Sequence, residues 1–204
     1  MVPGDPVNWT AVLPTVRRPG EGFRLSIKRD DRWGNPSNRL TGKIKLKTNL
    51  PVTGLNETVD LKKGDFGVVI EGLSVESPGV LHLTVLDEND QLIATANPLV
   101  IRAADAAHFW SDMHVQSGET IGVGTAREYF DFARNKAFLD IAGHQGNDFQ
   151  ITDAFWQHLN ELTAEYNEDN RFMTLPGYEW SGNTGLGGDH NVWFRDEGRP
   201  IYRS

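Results

Sequence analysis

The first half of the chain alternates apolar and polar residues over short runs. From residue 23 to residue 102 these runs are broken by Gly, Pro, Asn and Asp, a pattern typical of short β-strands joined by turns. The predicted strands are 23–28, 42–48, 58–61, 67–73, 80–86, 92–96 and 100–101. Six or seven short strands of this kind favour an immunoglobulin-like β-sandwich over residues 1–103.

An acidic segment, Asp87-Glu88-Asn89-Asp90, separates two of these predicted strands. Its side-chain oxygens are of the type that binds calcium. Asp and Asn also favour turns, because their short side chains hydrogen-bond to the nearby backbone. We therefore interpret the segment as a hairpin turn, with a calcium site as the alternative.

The pattern changes within residues 103–107, where we place the domain boundary, and strands then alternate with helices. The predicted elements are a strand at 109–115, a helix at 125–136, a strand at 138–142, a helix at 152–166, and short strands at 172–176 and 192–194. Thr125 and Glu128 have capping-box spacing at the start of the first helix. This order predicts parallel strands with right-handed crossovers over residues 108–204, in an open sheet or a barrel.

Charge is distributed unevenly between the two halves. The chain has a net charge of -8; residues 1–103 carry 13 Lys or Arg and 12 Asp or Glu, whereas residues 104–204 carry 7 and 16. Nucleic-acid and anionic-membrane binders normally present a basic face, so we expect neither partner. Carboxylates clustered in the second half fit a cation site, and they equally fit a solvated surface.

The chain has no cysteine, which excludes disulfides, thiolate nucleophiles and thiolate zinc ligands. No apolar run approaches membrane-spanning length, so the sequence predicts no membrane association. The first residues lack the basic and apolar regions of a signal peptide. Cytoplasmic location is therefore the default, and a secreted or periplasmic location remains open if a signal peptide precedes this sequence.

Polar residues with regular spacing lie in the first predicted strand of the second half. Asp112, His114 and Gln116 are two residues apart, so in an extended strand their side chains project to one face. We expect these three side chains to converge near the carboxyl end of the strand.

Three further candidates stand at the ends of later predicted strands. His144 directly follows the second strand, Glu179 follows the third, and His190 begins the next. Parallel α/β folds place their active sites at the carboxyl ends of strands. A lone histidine in such a place is more often structural, but together the imidazole and carboxylate groups suit zinc, manganese or iron.

These motifs resemble those of the PHP domain, named for polymerase and histidinol phosphatase, and particularly a branch with an N-terminal sandwich. Residues 112–116, Asp-Met-His-Val-Gln, resemble the family's Asp-x-His-x-His motif, and residues 142–144, Ala-Gly-His, resemble its Thr-Asp-His motif. Residues 175–179 resemble the segment that bears a glutamate bridging two metals, and residues 188–192 resemble the next histidine motif. The resemblance covers about residues 108–204.

The resemblance implies a role for each candidate. The metal ligands would be His114, Gln116, His144, Glu179 and His190. Glu179 would bridge two ions close to the reaction, and Asp112 would act with it by orienting a ligand histidine. Arg127, in the first turn of a predicted helix, is a candidate for holding a substrate phosphate, and Trp180 for lining the substrate cleft; structural roles for both remain the alternative.

The sequence departs from the family pattern at three points. Gln116 stands where a second ligand histidine is usual, and an amide oxygen is a weaker zinc donor than imidazole, so we expect altered affinity or fewer metals. Gly143 replaces the aspartate of the second motif. The later strands of the barrel have no counterpart before Ser204, and whether Glu119 or Asp148 joins the site is open.

Two functions follow as expectations. The first is a metal-dependent hydrolase acting on a small or phosphorylated substrate, most simply a phosphoester, through a metal-activated water. The second is a non-catalytic module whose sandwich recognises a carbohydrate or a protein and whose metal site is degenerate. We expect this chain to be part of a longer protein, since a barrel cut after about four strands exposes edges that invite self-association.

Overall fold

A computed structural model describes residues 3–103, 106–182 and 187–204 of the chain. The chain forms two compact units, Met1–Phe109 and Trp110–Ser204. The sequence places its boundary slightly earlier, at residues 103–107, part of which lies outside the described residues.

The first described unit consists of β-strands. They are β1 (Asn8–Val12), β2 (Val16–Arg17), β3 (Phe23–Asp30), β4 (Gly42–Thr48), β5 (Thr58–Leu61), β6 (Gly67–Leu73), β7 (Gly79–Leu81), β8 (Leu83–Leu86), β9 (Leu92–Thr95) and β10 (Leu99–Ile101). They form sheets in the orders β1-β3-β6, β5-β4-β8-β9 and β2-β10-β7. All of the pairings are antiparallel except β2 with β10.

One hydrophobic core joins the sheets of this unit. Leu25 and Ile27 from β3 lie in the same buried cluster as Ile44 and Leu46 from β4. Within each pair the residues are two apart and so project to one face, as strand geometry requires. Each such aliphatic side chain contributes about 1.5–3 kcal/mol when fully buried. The all-β fold predicted for this half is confirmed.

The sequence missed β1 and β2 and merged β7 with β8. β1 pairs with β3 and buries Ala11 within its short length, so its alternation is hard to distinguish from a polar loop. The acidic segment forms the β8–β9 turn: the Asp87 side chain accepts hydrogen bonds from the backbone N–H groups of Asn89 and Gln91, and Asp90 is left-handed with φ 62°. This local use of Asp87 supports the turn interpretation.

The second unit begins with a parallel sheet and ends with a hairpin. Its elements are β11 (Ser111–Val115), α1 (Ala126–Asn135), β12 (Ile141–His144), α2 (Asp153–Tyr166), β13 (Met173–Thr174), β14 (Gly177–Ser181) and β15 (Asp189–Trp193). Strands β11, β12 and β13 pair in that order and are parallel, as predicted. Strands β14 and β15 pair with each other and are antiparallel.

Both helices begin where the sequence predicts. Thr125 and Glu128 form the capping box of α1, and the Thr152 side chain caps α2. Helix α2 buries Phe155, Leu159 and Leu162 along one face, whereas α1 buries Phe130 and leaves Phe132 43% exposed. Among the described residues, no helix combines the length and apolar character needed to cross a membrane.

The strands of this unit differ from the prediction at three points. Phe138 has φ 57°, a left-handed conformation, so the strand predicted at 138–142 begins only at Ile141. Glu179 does not follow the third strand, because it lies within β14, which the sequence did not predict. The strand predicted at 192–194 is the longer β15, whose pairing with β14 makes this part of the unit antiparallel.

Candidate metal centre

Glu179 lies at the middle of the candidate site and is held there by its own backbone. Its N–H donates to the carbonyl of Gly146 at 2.9 Å, and its carbonyl accepts from the N–H of Asp148 at 2.8 Å. These bonds join β14 to the segment that follows the carboxyl end of β12. The Glu179 side chain is 11% exposed, so the surrounding protein fixes its carboxylate in place.

Three side chains converge on one oxygen of this carboxylate. Oε2 of Glu179 accepts hydrogen bonds from Nδ2 of Asn147 at 2.8 Å and from Nε2 of Gln116 at 3.2 Å. Nε2 of His114 lies 3.7 Å from the same oxygen. The structure therefore brings together three of the predicted site residues, His114, Gln116 and Glu179, and adds Asn147.

His114 in β11 and Gln116, one residue beyond the end of β11, both lie beside Glu179. The pairing of β11 with β12 shifts register between Asp112 and Val115, around His114. The Asp112 carboxylate contacts the backbone N–H of His114, with Oδ1 at 3.4 Å from the nitrogen. The predicted contact of Asp112 with a histidine ring is thus replaced by a contact with the backbone.

The two polar atoms of the Gln116 amide differ in their hydrogen bonding. Its Nε2 donates to Oδ1 of Asn147 at 3.0 Å as well as to Glu179. Its Oε1 is buried and has no hydrogen-bond partner. A buried carbonyl oxygen without a partner is unfavourable, and the amide oxygens of Gln145 and Gln150 are in the same condition.

His144 is buried and both of its ring nitrogens are engaged. Nδ1 accepts from the N–H of Gly146 at 3.1 Å, so a neutral ring carries its proton on Nε2, which lies 2.8 Å from Oγ of Ser117. Burial lowers the pKa of His144 to about 4, against the opposing charge of Glu119. The predicted ligand His144 is therefore a hydrogen-bonded neutral ring. In this tautomer it also cannot act as a base toward Ser117.

His190 and Trp180 lie on the opposite face of the hairpin from Glu179. Trp180 pairs with His190 across the hairpin, and Glu179 pairs with Asn191. Paired residues of antiparallel strands share a face, and neighbouring residues along a strand alternate. The rings of Trp180 and His190 are accordingly 5.8 Å apart. The structure does not bring the predicted ligand His190 to the Glu179 cluster.

Gly143 occupies the position where the second motif usually has an aspartate. A Cβ atom at this position would lie 3.2 Å from Nε1 of Trp193 and 3.4 Å from Cε of Met113. The indole of Trp193 therefore takes the space that a larger side chain would need. A side chain at position 143 would require the indole of Trp193 to shift.

Arg127 is engaged in an ion pair that joins the two helices. Its two terminal nitrogens lie 2.5 and 2.7 Å from the carboxylate oxygens of Glu165, on α2. This ion pair raises the pKa of the Arg127 guanidinium. The predicted contact with a substrate phosphate would compete with this bidentate pair, so the geometry favours the structural alternative.

The two acidic residues that the sequence left open have structural partners. Glu119 accepts a hydrogen bond from the N–H of Ala126 at 3.2 Å, at the start of α1. Burial acts to raise the pKa of Asp148, but hydrogen bonds from Ser181 and Ser204 outweigh it and lower that pKa. Neither acid is among the groups that contact the Glu179 carboxylate.

Asn147 is the site residue that sequence reasoning missed. Its Nδ2 donates to Oγ of Ser181 at 2.8 Å as well as to Glu179, so it links two side chains of β14. The signal was present, because Asn147 follows β12 just as His144 was expected to do. Any polar residue directly beyond the carboxyl end of a parallel strand is a candidate site residue, not only a histidine.

The side-chain atoms that contact Glu179 Oε2 are nitrogens, two of them in amide groups that donate hydrogen bonds. In residues 3–103, 106–182 and 187–204, no three His, Asp or Glu side chains group closely enough to hold a metal ion. A divalent ion at Glu179 would therefore need an amide oxygen beside His114 and the carboxylate. Oε1 of Gln116 would be such a donor only after its amide turned over, because Nε2 faces Glu179 in this structure.

The fold and the site together define a class of protein: an all-β unit followed by an α/β unit with a buried carboxylate beside imidazole and amide groups. A family model described as "Protein of unknown function (DUF3604)" matches residues 82–203, more than half of the chain. The chain belongs to this family.

Relatives of the chain occur in chlamydiae. An uncharacterised protein of Chlamydia pneumoniae is 22% identical over 175 residues, which cover 83% of this chain and 28% of the relative. An uncharacterised protein of Chlamydia trachomatis is 21% identical over 163 residues, covering 78% of this chain and 26% of the relative. The chain thus spans about a quarter of the length of these relatives.

One solved structure resembles half of the chain. It is the PKD domain of an M14-like peptidase from Thermoplasmatales archaeon SCGC AB-540-F20, at 12% identity and a TM-score of 0.29. The match covers 50% of this chain and all of that domain.

Proposed function

We propose that this chain carries the opening part of a PHP-like barrel and that the longer protein is a metal-dependent hydrolase. The observation that carries the proposal is the convergence of His114, Gln116 and Glu179 at the carboxyl ends of β11 and β12, with a buried amide oxygen lacking a partner. Parallel strands that alternate with helices support the barrel, because this is how such barrels begin.

In this scheme His114 and Glu179 bind a divalent zinc, manganese or iron ion. Such an ion lowers the pKa of a bound water and stabilises charge on the group under attack. Asn147 and Gln116 orient the carboxylate through their N–H groups, which fixes the direction in which the remaining oxygen faces. A phosphoester is the substrate that the motif resemblance implies.

Metal binding by the purified chain tests this proposal. Manganese and zinc are titrated separately into the chelator-treated chain and followed by isothermal calorimetry. His114→Ala and Glu179→Gln are each expected to weaken binding at least about tenfold, because each removes a donor. His158→Ala is the matched control, since His158 is a half-exposed ring on α2 whose ion-pair partner is Glu161.

Equal binding by His114→Ala and the wild-type chain would contradict the assignment of the site. Binding that His158→Ala weakens as much as His114→Ala would identify surface histidines as the cause. If the site holds, the full-length protein is the material for a phosphoesterase assay, with Glu179→Gln expected to lower its rate.

A non-catalytic module with a degenerate site is the second candidate. It is favoured by His144, whose ring nitrogens are both engaged, and by Gly143, whose surroundings are filled by Trp193. In this case the first unit would recognise a carbohydrate or a protein, and the second unit would serve structure or self-association. The calorimetric experiment separates the candidates, because this one predicts no metal binding that depends on His114.

A further inference from the structure

Residues 195–204 come after β15 and form neither helix nor strand, yet hydrogen bonds attach them to the rest of the second unit. The N–H of Gly198 donates to Oδ1 of Asn160 at 2.9 Å, and the carbonyl of Arg199 accepts from Nε1 of Trp156 at 2.8 Å. Asn160 and Trp156 both belong to α2. This segment, which we call the strap, is therefore attached along the helix.

Arg203 connects the strap to the loop between β12 and α2. Its Nη1 donates to the carbonyls of Asp148 and Ile151, and its Nη2 lies 2.8 Å from Oδ1 of Asp153. The N–H of Ser204 donates to Oδ2 of Asp148 at 2.6 Å. Because the donors of a guanidinium are fixed in one plane, a single side chain joins both ends of this short loop.

Asp148 connects the same loop to the Glu179 carboxylate. Its N–H donates to the carbonyl of Glu179 at 2.8 Å, and its Oδ1 accepts from the N–H of Ser181 at 2.9 Å. The preceding residue, Asn147, donates to Oε2 of Glu179. Arg203, the loop and Glu179 are therefore successive members of one hydrogen-bonded series.

We propose that Arg203 is a positioning residue, which holds the loop at residues 148–151 and thereby fixes both Asn147 and the backbone of Glu179. When the strap detaches, the buried Asp148 loses its bonds from Ser204 and Arg203, so the loop no longer stays in place. The inference goes beyond the proposed function, because it concerns the order of these side chains with or without a metal ion.

The contacts of Arg203 with the two carbonyls account for this role, whereas its ion pair does not. The side chain of Asp153 is 97% exposed, and water screens an ion pair of that kind. Asp148 and Ile151 are buried, so their carbonyl oxygens need partners from the protein. Lysine has no planar fork and is a poor substitute for arginine between two carbonyls.

Amide hydrogen exchange of the chelator-treated 204-residue chain, resolved by NMR, tests the proposal. Arg203→Ala is expected to accelerate exchange of the Asp148, Glu179 and Ser181 amides at least about tenfold, the scale of one lost hydrogen bond to a charged group. The amide of Ala133, within α1, is the internal reference and is expected to keep its wild-type rate. Equal acceleration of Ala133 would show general destabilisation and would overturn a positioning role.

Three further variants separate the carbonyl contacts from other effects. Arg199→Ala is the matched control, since this strap arginine pairs only with the neighbouring Asp196 among the described side chains, and Asp153→Asn removes the ion pair alone. Both are expected to leave the three amides within about twofold of wild type. Arg203→Lys keeps the charge and is expected to accelerate them, which serves as the test if Arg203→Ala fails to fold. Acceleration in Asp153→Asn equal to that in the Arg203 variants would assign the effect to the ion pair and contradict the proposal.

The side-chain amide resonances of Asn147 and Gln116 give a readout that packing alone does not move. Both groups donate to Oε2 of Glu179. In the Arg203 variants these resonances are expected to shift toward the values of solvated amides while tryptophan fluorescence still reports a folded chain. Unshifted resonances in those variants would overturn the proposal. Because no metal is present, this result is independent of the calorimetric test of the proposed function.

Discussion

Replacing Gly177 with Ala is expected to destabilise the second unit by about 3 kcal/mol, the upper part of the range for overpacking in a rigid setting. A Cβ atom at this position would lie 2.5 Å from the carbonyl oxygen of Val192 and would collide with the side-chain amide of Gln145. The Val192 oxygen belongs to the backbone of β15, which pairs with β14, so the hairpin itself must move. Urea unfolding followed by tryptophan fluorescence measures the loss.

Gly188→Ala is the matched control for Gly177→Ala. Gly188 has no heavy atom within 4 Å of an added Cβ, and its φ lies outside the left-handed region. Its free energy of unfolding is expected to stay within about 0.5 kcal/mol of the wild-type value. Gly177 is two residues from Glu179, so Gly177→Ala is also expected to weaken metal binding. A Gly177→Ala chain as stable as Gly188→Ala would show that β14 and β15 are not packed as described.

Hydrophobic periodicity was a sufficient guide to most of the fold. Strands β4, β5 and β6 begin and end where alternation predicts, and their apolar side chains pack in one core. The helix starts were readable from the capping residues Thr125 and Thr152. At these positions local backbone preference and side-chain burial favour the same secondary structure, so the sequence alone predicts it.

The missed elements are those whose pattern is set by distant partners. β14 contains the sequence Gly-Tyr-Glu-Trp-Ser, in which a charged residue is buried, so its alternation is hidden. Glu179 is buried because Asn147 and Gln116 donate to it, and both residues lie far away in the sequence. Propensity for a strand cannot reveal a carboxylate whose burial depends on such long-range hydrogen bonds.

The candidate site was predictable in position but only partly in membership. The two-residue spacing of His114 and Gln116 predicted that they share a side, and both contact Glu179 in the structure. The preference of site residues for the carboxyl ends of strands pointed to the region that follows β12. The sequence could not show that Gly146 and Ser117 engage the ring of His144, or that pairing with Trp180 turns His190 away. Motif matches identify residue types, whereas the hydrogen bonds around each ring decide its availability.

Local packing and hydrogen bonds surround the positions at which the sequence differs from the PHP motifs. Gly143 leaves room for the indole of Trp193. The Gln116 amide donates through Nε2 to Glu179, and its Oε1 is buried without a hydrogen-bond partner. His144 keeps a structural place once it is bonded on both sides. Packing and internal hydrogen bonds thus account for Gly143 and His144 in this structure.

The second unit is expected to lose stability as the pH falls from about 6.5 to 4. Burial lowers the pKa of His144 to about 4 in the folded protein, with Glu119 acting in the opposite direction, whereas an unfolded histidine has a pKa of about 6.5. Between these values the unfolded chain binds a proton that the folded chain does not, so acid favours unfolding. The contribution of His144 is complete above pH 6.5, and the loss reaches about 3 kcal/mol by pH 4.

The measurement is urea unfolding of the chelator-treated chain at several pH values, compared with His144→Gln and with His158→Gln as control. Because other groups also titrate in acid, the difference between variant and wild type isolates His144. His144→Gln is expected to flatten the profile between pH 6.5 and 4, and His158→Gln is expected to follow the wild type, since its ring is half exposed. Profiles of equal slope would contradict a neutral, buried His144. If added manganese stabilises the wild-type chain but not His144→Gln, the ring is a ligand after all. A ligand His144 must exchange a bond to Gly146 or Ser117 for the metal.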